Sequence, residues 1–148
     1  MRRTRRDDEG TILFLTLGFS VVLLLLVAVV VDVSAVILAK RGVSSAADGA
    51  ALAAAQQPDR AAVRNHENAL ATGLPLDAQV VEDVVATYEG DADDTLPGLT
   101  LVARVDGAGD DEAVVDAYRT ITLPFGGWLG VGRVQVHAVA RARSPVVN

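Results

Sequence analysis

One carboxylate, Asp32, stands at the end of a long uncharged run, and its position is the first in this sequence that could carry chemistry. An acid inside hydrocarbon is costly and is seldom left unpaired. Asp32 therefore either marks the outer edge of the apolar run, where water reaches it, or pairs with a basic residue on a partner subunit. Other reactive side chains are sparse. His66 and His137 are the only histidines, and cysteine is absent. Without a His-Glu-x-x-His spacing or a thiolate, neither catalytic nor structural zinc is supported. The lack of cysteine also removes disulfides and thiol nucleophiles. Ser44, Ser45 and Ser144 lack the Gly-x-Ser-x-Gly setting of a hydrolase nucleophile. Gly126-Gly-Trp-Leu-Gly-Val-Gly132 is rich in glycine but has no Lys-Ser/Thr ending and no helix after it, so it does not cradle phosphate. It reads as a hairpin loop carrying an exposed Trp128, set to touch a partner or the membrane surface. Two acidic clusters offer hard oxygens: Asp91, Asp93 and Asp94, and Asp106, Asp110, Asp111 and Glu112. Neither fits an EF-hand loop, so solvated turns are the default reading; calcium at the second cluster is the one cofactor the residues leave open. No catalytic constellation is present, and the chain is expected to be a non-enzyme with no small-molecule substrate.

The elements that position these residues follow from hydropathy and charge. Thr11 to Val31 is a run of 21 residues without a charge. As a helix it would span about 30 Å, the thickness of a bilayer's hydrocarbon core. Backbone amides in lipid need internal partners, so the run must be helical despite its valines. Arg2, Arg3, Arg5 and Arg6 precede it, whereas Lys40 and Arg41 follow only after eight residues beyond Asp32. Flanking positive charge stays on the cytoplasmic side. The expected topology is a basic cytoplasmic tail over residues 1–10, a transmembrane helix over 11–31 and everything later outside the cytoplasmic membrane. A cleaved signal peptide is the competing reading: Ala46–Ala50 and Ala53–Gln56 offer small-residue sites, but the apolar run is longer than the usual ~7–15 residues and these sites lie well beyond it.

Residues 32–57 are expected to extend the helix. Val33 to Ala39 stays apolar and no proline occurs before Pro58. Gly42 is expected to loosen the rod, and Ser45-Ala-Ala-Asp48 resembles a capping box that would restart it. Small residues recur at Gly42, Ala46, Ala50 and Ala54, which either form a packing stripe or simply reflect alanine's helix propensity. Residues 58–148 form a small acidic domain. After Arg41 there are 7 basic and 15 acidic side chains, a net of −8, which rules out nucleic-acid binding by counterion release. Asp59 to Ala71 reads as a short polar helix starting at Asp59. Val80 to Tyr88 fits helix and strand alike, and its valine content favours strand. Leu99–Val105, Ala113–Leu123 and Arg133–Arg141 read as strands, separated by acidic loops at Gly90–Asp94 and Asp106–Glu112. The fold class is α+β: one long helix packed on an antiparallel sheet of three or four strands.

Taken in order, Asp7-Asp-Glu-Gly-Thr-Ile-Leu-Phe14, the apolar run, and Val31-Asp-Val-Ser-Ala-Val-Ile-Leu-Ala-Lys-Arg41 leading into Ala46-Ala-Asp-Gly-Ala-Ala-Leu-Ala-Ala-Ala55 resemble the TadE/TadG-like proteins of tight-adherence (Flp) pilus systems. Members of that family show a charged leader ending in Gly, one span with a late Asp, a basic pair and an "AADAAALAAA"-like segment. These map here to Gly10, Asp32, Lys40-Arg41 and Ala46–Ala55. Tyr118–Phe125 and Val134–Arg141 resemble the family's closing strands more weakly. The resemblance implies a pseudopilin-like or accessory subunit of a pilus-assembly or secretion machine, anchored in the inner membrane beside other subunits. It also makes Gly10 a possible processing site. Processed pilins carry Glu at the fifth position after that Gly; here it is Leu15, which points to the uncleaved, TadG-like type. The alternative is a membrane-anchored extracytoplasmic binding or sensor module unrelated to pili.

Overall fold

The computed structural model describes residues 5–57, 74–107 and 110–144. A first helix, α1, runs unbroken over Arg5–Ala55, 51 residues or about 75 Å. A second, α2, covers Ala78–Ala92. Strands β1 (Leu99–Asp106), β2 (Glu112–Thr122) and β3 (Arg133–Arg143) form an antiparallel meander in the order β1-β2-β3. A short 3-10 helix, Gly126–Leu129, lies in the β2–β3 connection. The architecture is α+β, as expected. The strands match their expected positions to within one or two residues, and the sheet has three of them. The segment expected to be a polar helix, Asp59–Ala71, lies outside the described residues.

α1 has two halves with different surroundings. From Thr11 to Val31 the large apolar side chains stand exposed, among them Phe14, Leu15 and Phe19. The core helix of a soluble protein would be mostly buried; this half is long and apolar enough to cross a membrane, and among the described residues almost nothing covers it. Thr16 and Ser20 in this half, and Ser34 just beyond it, turn their hydroxyls back onto the helix, donating to the carbonyls of Ile12, Thr16 and Val30. The second half is packed. Val43, Ala46, Ala47, Ala50, Ala51, Ala54 and Ala55 are buried, recurring at three- and four-residue spacing along one side of α1. The sheet and α2 lie on this stripe, with Leu76, Val81, Val85, Leu99, Leu101, Val115, Ala117, Val136 and Ala140 completing the core.

Three expectations are corrected. The helix does not break at Gly42 or restart at Ser45–Asp48; both lie in its uninterrupted interior. A glycine costs a helix only ~1 kcal/mol relative to alanine, and packing on both sides outweighs that. The second correction is that Val80–Tyr88 belongs to α2 and is not a strand. As a strand it would have put Val81 with Asp83 on one face and Val80 with Glu82 on the other. As a helix it buries Val81 and Val85 and packs Val84, Tyr88 and Ala92 beside them, leaving Glu82 and Asp83 in water. Asp77 caps it, accepting the N–H of Gln79 at 2.9 Å. Third, Gly90–Ala92 is not a loop between strands but the last turn of α2.

α2 runs antiparallel to α1. Val84 lies near Ala53, Tyr88 beside Gly49 and Leu96, just past α2, beside Gly42. A Cβ at Gly49 would sit 2.3 Å from the Tyr88 hydroxyl, so glycine there lets the ring lie against the helix. The far end of the sheet is tied to the chain re-entering at Leu74. The Leu74 N–H donates to buried Ser144 Oγ at 2.8 Å, and that hydroxyl donates back to the Leu74 carbonyl at 2.6 Å. Ser144 is thus a structural clasp.

Since Ala50 is fully buried and Leu52 is 56% exposed, the two positions should respond oppositely to size. Ala50→Leu should destabilise the sheet domain by ~1–3 kcal/mol through overpacking, while Leu52→Ala should stay within about 0.5 kcal/mol. Thermal unfolding of the detergent-solubilised full chain, followed by circular dichroism, measures both.

Candidate functional site

The residue singled out first, Asp32, is only 7% exposed. Its Oδ1 accepts the backbone N–H of Phe125 at 2.9 Å, across 93 positions of sequence. The junction follows from chain direction. β2 descends along α1, so that Thr120, Ile121 and Thr122 face Ala35, Leu38 and Ala39. The chain then turns over Asp32 before climbing back as β3. The turn is tightly built. The Val131 N–H donates to the Gly126 carbonyl at 2.9 Å and the Leu123 N–H to the Gly132 carbonyl at 3.2 Å. A Cβ on Gly126 would come within 2.2 Å of the Val131 carbonyl oxygen, so only glycine fits there. Sequence reasoning offered interfacial water or a basic residue on another subunit as partners for Asp32. The structure gives it a backbone amide of its own chain.

The small-residue stripe is likewise occupied from within. Ala46, Ala50 and Ala54 are buried under the chain's own sheet and α2, and Gly42 lies against Leu96. Cleavage at Ala46–Ala50 or Ala53–Gln56 would cut through this core. Gly10, the possible processing site, lies within α1 with open space around it.

On the sheet face turned away from α1, a second cluster forms around Asp116. This carboxylate is bonded to Arg104 from β1, and His137 Nε2 from β3 lies 3.3 Å from its Oδ1. A carboxylate only accepts, so Nε2 carries the hydrogen. The His137 ring stacks on Tyr118, centroids 4.5 Å apart. Burial pushes the Asp116 carboxyl up, but the bonds from His137 and Arg104 and their charge outweigh it and hold it below its ordinary value. Nearby, Arg141 and Arg143 approach Glu112 at 3.8 and 3.6 Å. Val114, between Arg104 and Arg141 in register, is fully buried. Linking β1, β2 and β3 side by side, the cluster forms a cross-strand brace. Sequence alternation in β3 put His137 opposite the alanines, yet its partners depend on register.

The acidic β1–β2 turn uses several of its groups internally. Asp106 Oδ1 accepts the Gly107 N–H, the Asp110 carbonyl accepts from Leu76 and the Asp111 carbonyl from Ser144. Among the described residues no group of three or more acids or histidines is gathered as a metal would require. An open groove of about 660 Å³ runs between α2 and β1, past Glu82, Glu89 and Asp93. Glu89 is already committed there: it accepts the Leu101 N–H at 2.7 Å, covering the free edge of β1. His66 lies outside the described residues.

The family model for Flp pilus-assembly TadE/G-like proteins matches residues 10–57, about a third of the chain. The matched portion is the exposed apolar half of α1 together with its packed, alanine-rich half, and it ends before the sheet. No curated protein and no solved structure matches the chain.

Two outcomes test this geometry. Asp32→Ala leaves the Phe125 amide without its acceptor; it should cost ~1–3 kcal/mol and speed hydrogen exchange at Phe125 while leaving Leu101 protected. The Asp116 brace should weaken in acid. A carboxyl whose folded pKa is depressed contributes stability above its ordinary value of about 3.9 and loses it as pH falls through the folded value. Stability should therefore drop below about pH 4, and Asp116→Asn should flatten that part of the profile, read by unfolding midpoints across pH.

Proposed function

We propose that this chain is a membrane-anchored, non-enzymatic accessory subunit in the assembly of a Flp-type (tight-adherence) pilus or a related secretion machine. The observation that carries the reading is the coincidence of the matched family segment with the whole architectural unit of α1. Residues 10–57 include both the exposed apolar half and the half that the outer domain grips. A pilin-like plan, a long helix standing in lipid with a sheet packed on its upper half, supports the same conclusion. Arg2 to Arg6 hold the amino terminus at the cytoplasmic face, and the sheet faces outward. Leu15, where processed pilins keep Glu, favours an uncleaved, TadG-like role with Gly10 intact. Contacts to other pilus subunits would be made by surfaces the chain leaves open, since its alanine stripe is filled internally. A binding or sensor module is less well supported, because the acidic groove beside α2 is shallow and Glu89 is engaged within it.

Deleting the gene should lower the number or length of surface pili counted by electron microscopy. The full chain should restore them, and a version lacking residues 11–31 should not. Pili unchanged by the deletion would overturn the assignment.

A further inference from the structure

We infer that the β2–β3 connection is a second membrane contact, with Trp128 seated in the headgroup layer of the same bilayer that α1 crosses. The inference rests on the reading of α1 as a membrane span and adds a site to it. At the tip of this connection Trp128 is 92% exposed, and Phe125 and Val131 are about half exposed. Exposed aromatic and aliphatic groups close together on a small domain are unfavourable in water. Their height along α1 is fixed by the bond from the Phe125 N–H to Asp32, one residue past the uncharged run. Above them, Lys40 and Arg41 are exposed on α1, eight and nine residues on, or about 12–14 Å along the axis. The exposed Ile37 and Leu38 come just before that pair.

The tip therefore sits between the end of the span and the first exposed cations, a depth that matches the headgroup layer, roughly 5–8 Å on each side of the hydrocarbon. Tryptophan favours this layer because its indole is apolar in body with one N–H to satisfy. Cations lie above the tip: Arg41 lines the same groove as Thr120 to Thr122, and Arg133, exposed at the start of β3, pairs with Thr122 in register. These suit anionic headgroups. The opposite end of the sheet, the Asp106–Glu112 turn, carries acids and no exposed aromatic group. Among the described residues of the sheet, the exposed aromatic groups gather at the Asp32 end.

Trp128 is the sole tryptophan, so its fluorescence reports this contact without substitution. The full chain would be reconstituted into phosphatidylglycerol/phosphatidylcholine vesicles and recovered by flotation. The expected result is blue-shifted emission, quenched more strongly by lipids bearing a nitroxide near the headgroup than near the chain end. Quenching by aqueous iodide should be largely lost relative to a free indole. Emission of a fully hydrated indole, open to iodide and untouched by either lipid, from chain that floats with the vesicles would overturn the inference while leaving the span intact. Chain that fails to float would overturn the span and this contact together.

Discussion

One half of α1 stands apolar and exposed and the other is packed, and a single set of backbone hydrogen bonds serves both. Each interior amide of an uninterrupted α-helix is bonded four residues back, and that is the condition for placing a chain in hydrocarbon. The same continuity makes the upper half of α1 a rigid post for the sheet. A break at Gly42 would free backbone amides there and let the sheet domain swing against the apolar half. The helix instead passes through Gly42 and Gly49 without interruption, and both glycines are used for close approach by Leu96 and Tyr88. Apolar rod and scaffold are one element, and the placement of the sheet domain follows from it.

Alanine lets a three-stranded sheet and a fifteen-residue helix build a core on a single helical face. Seven small or β-branched residues between Val43 and Ala55 are buried, and none projects far enough to hold the sheet away. Aromatic side chains make up only 4% of the sequence, so close approach does the work that large side chains do in other domains of this size. The sheet's other face needs a different solution. There, Arg104, Asp116, His137 and Tyr118 link all three strands across the surface.

The junction at Asp32 joins these parts. A buried carboxylate at the end of a long apolar run is expensive unless something donates to it. The β2–β3 connection supplies a backbone N–H, and its own path is set by Gly126, where any side chain would strike the Val131 carbonyl. The bond thus solves the desolvation of Asp32 and fixes the lower end of the sheet at a defined height. In the proposed pilus setting, a subunit held at fixed height and orientation presents the same outer surface to each neighbour.

Composition and period by themselves determined the apolar run, its helical state, the alanine-rich extension and three strands, because each is written in local patterns that water and lipid read directly. They also determined the acidic character of the domain after α1 and the absence of catalytic spacing. Val80–Tyr88 was ambiguous because valines favour strands locally; burial of Val81 and Val85 against the α1 layer decided for a helix. Whether Gly42, Ala46, Ala50 and Ala54 meet a neighbour or the chain itself depends on where a sheet folded from distant residues comes to lie. Asp32 shows the same limit most clearly. Its charge and place were plain in the sequence, but its donor is 93 residues away and is a main-chain amide, which no residue type announces. Only the packing of β2 antiparallel to α1 brings the two together.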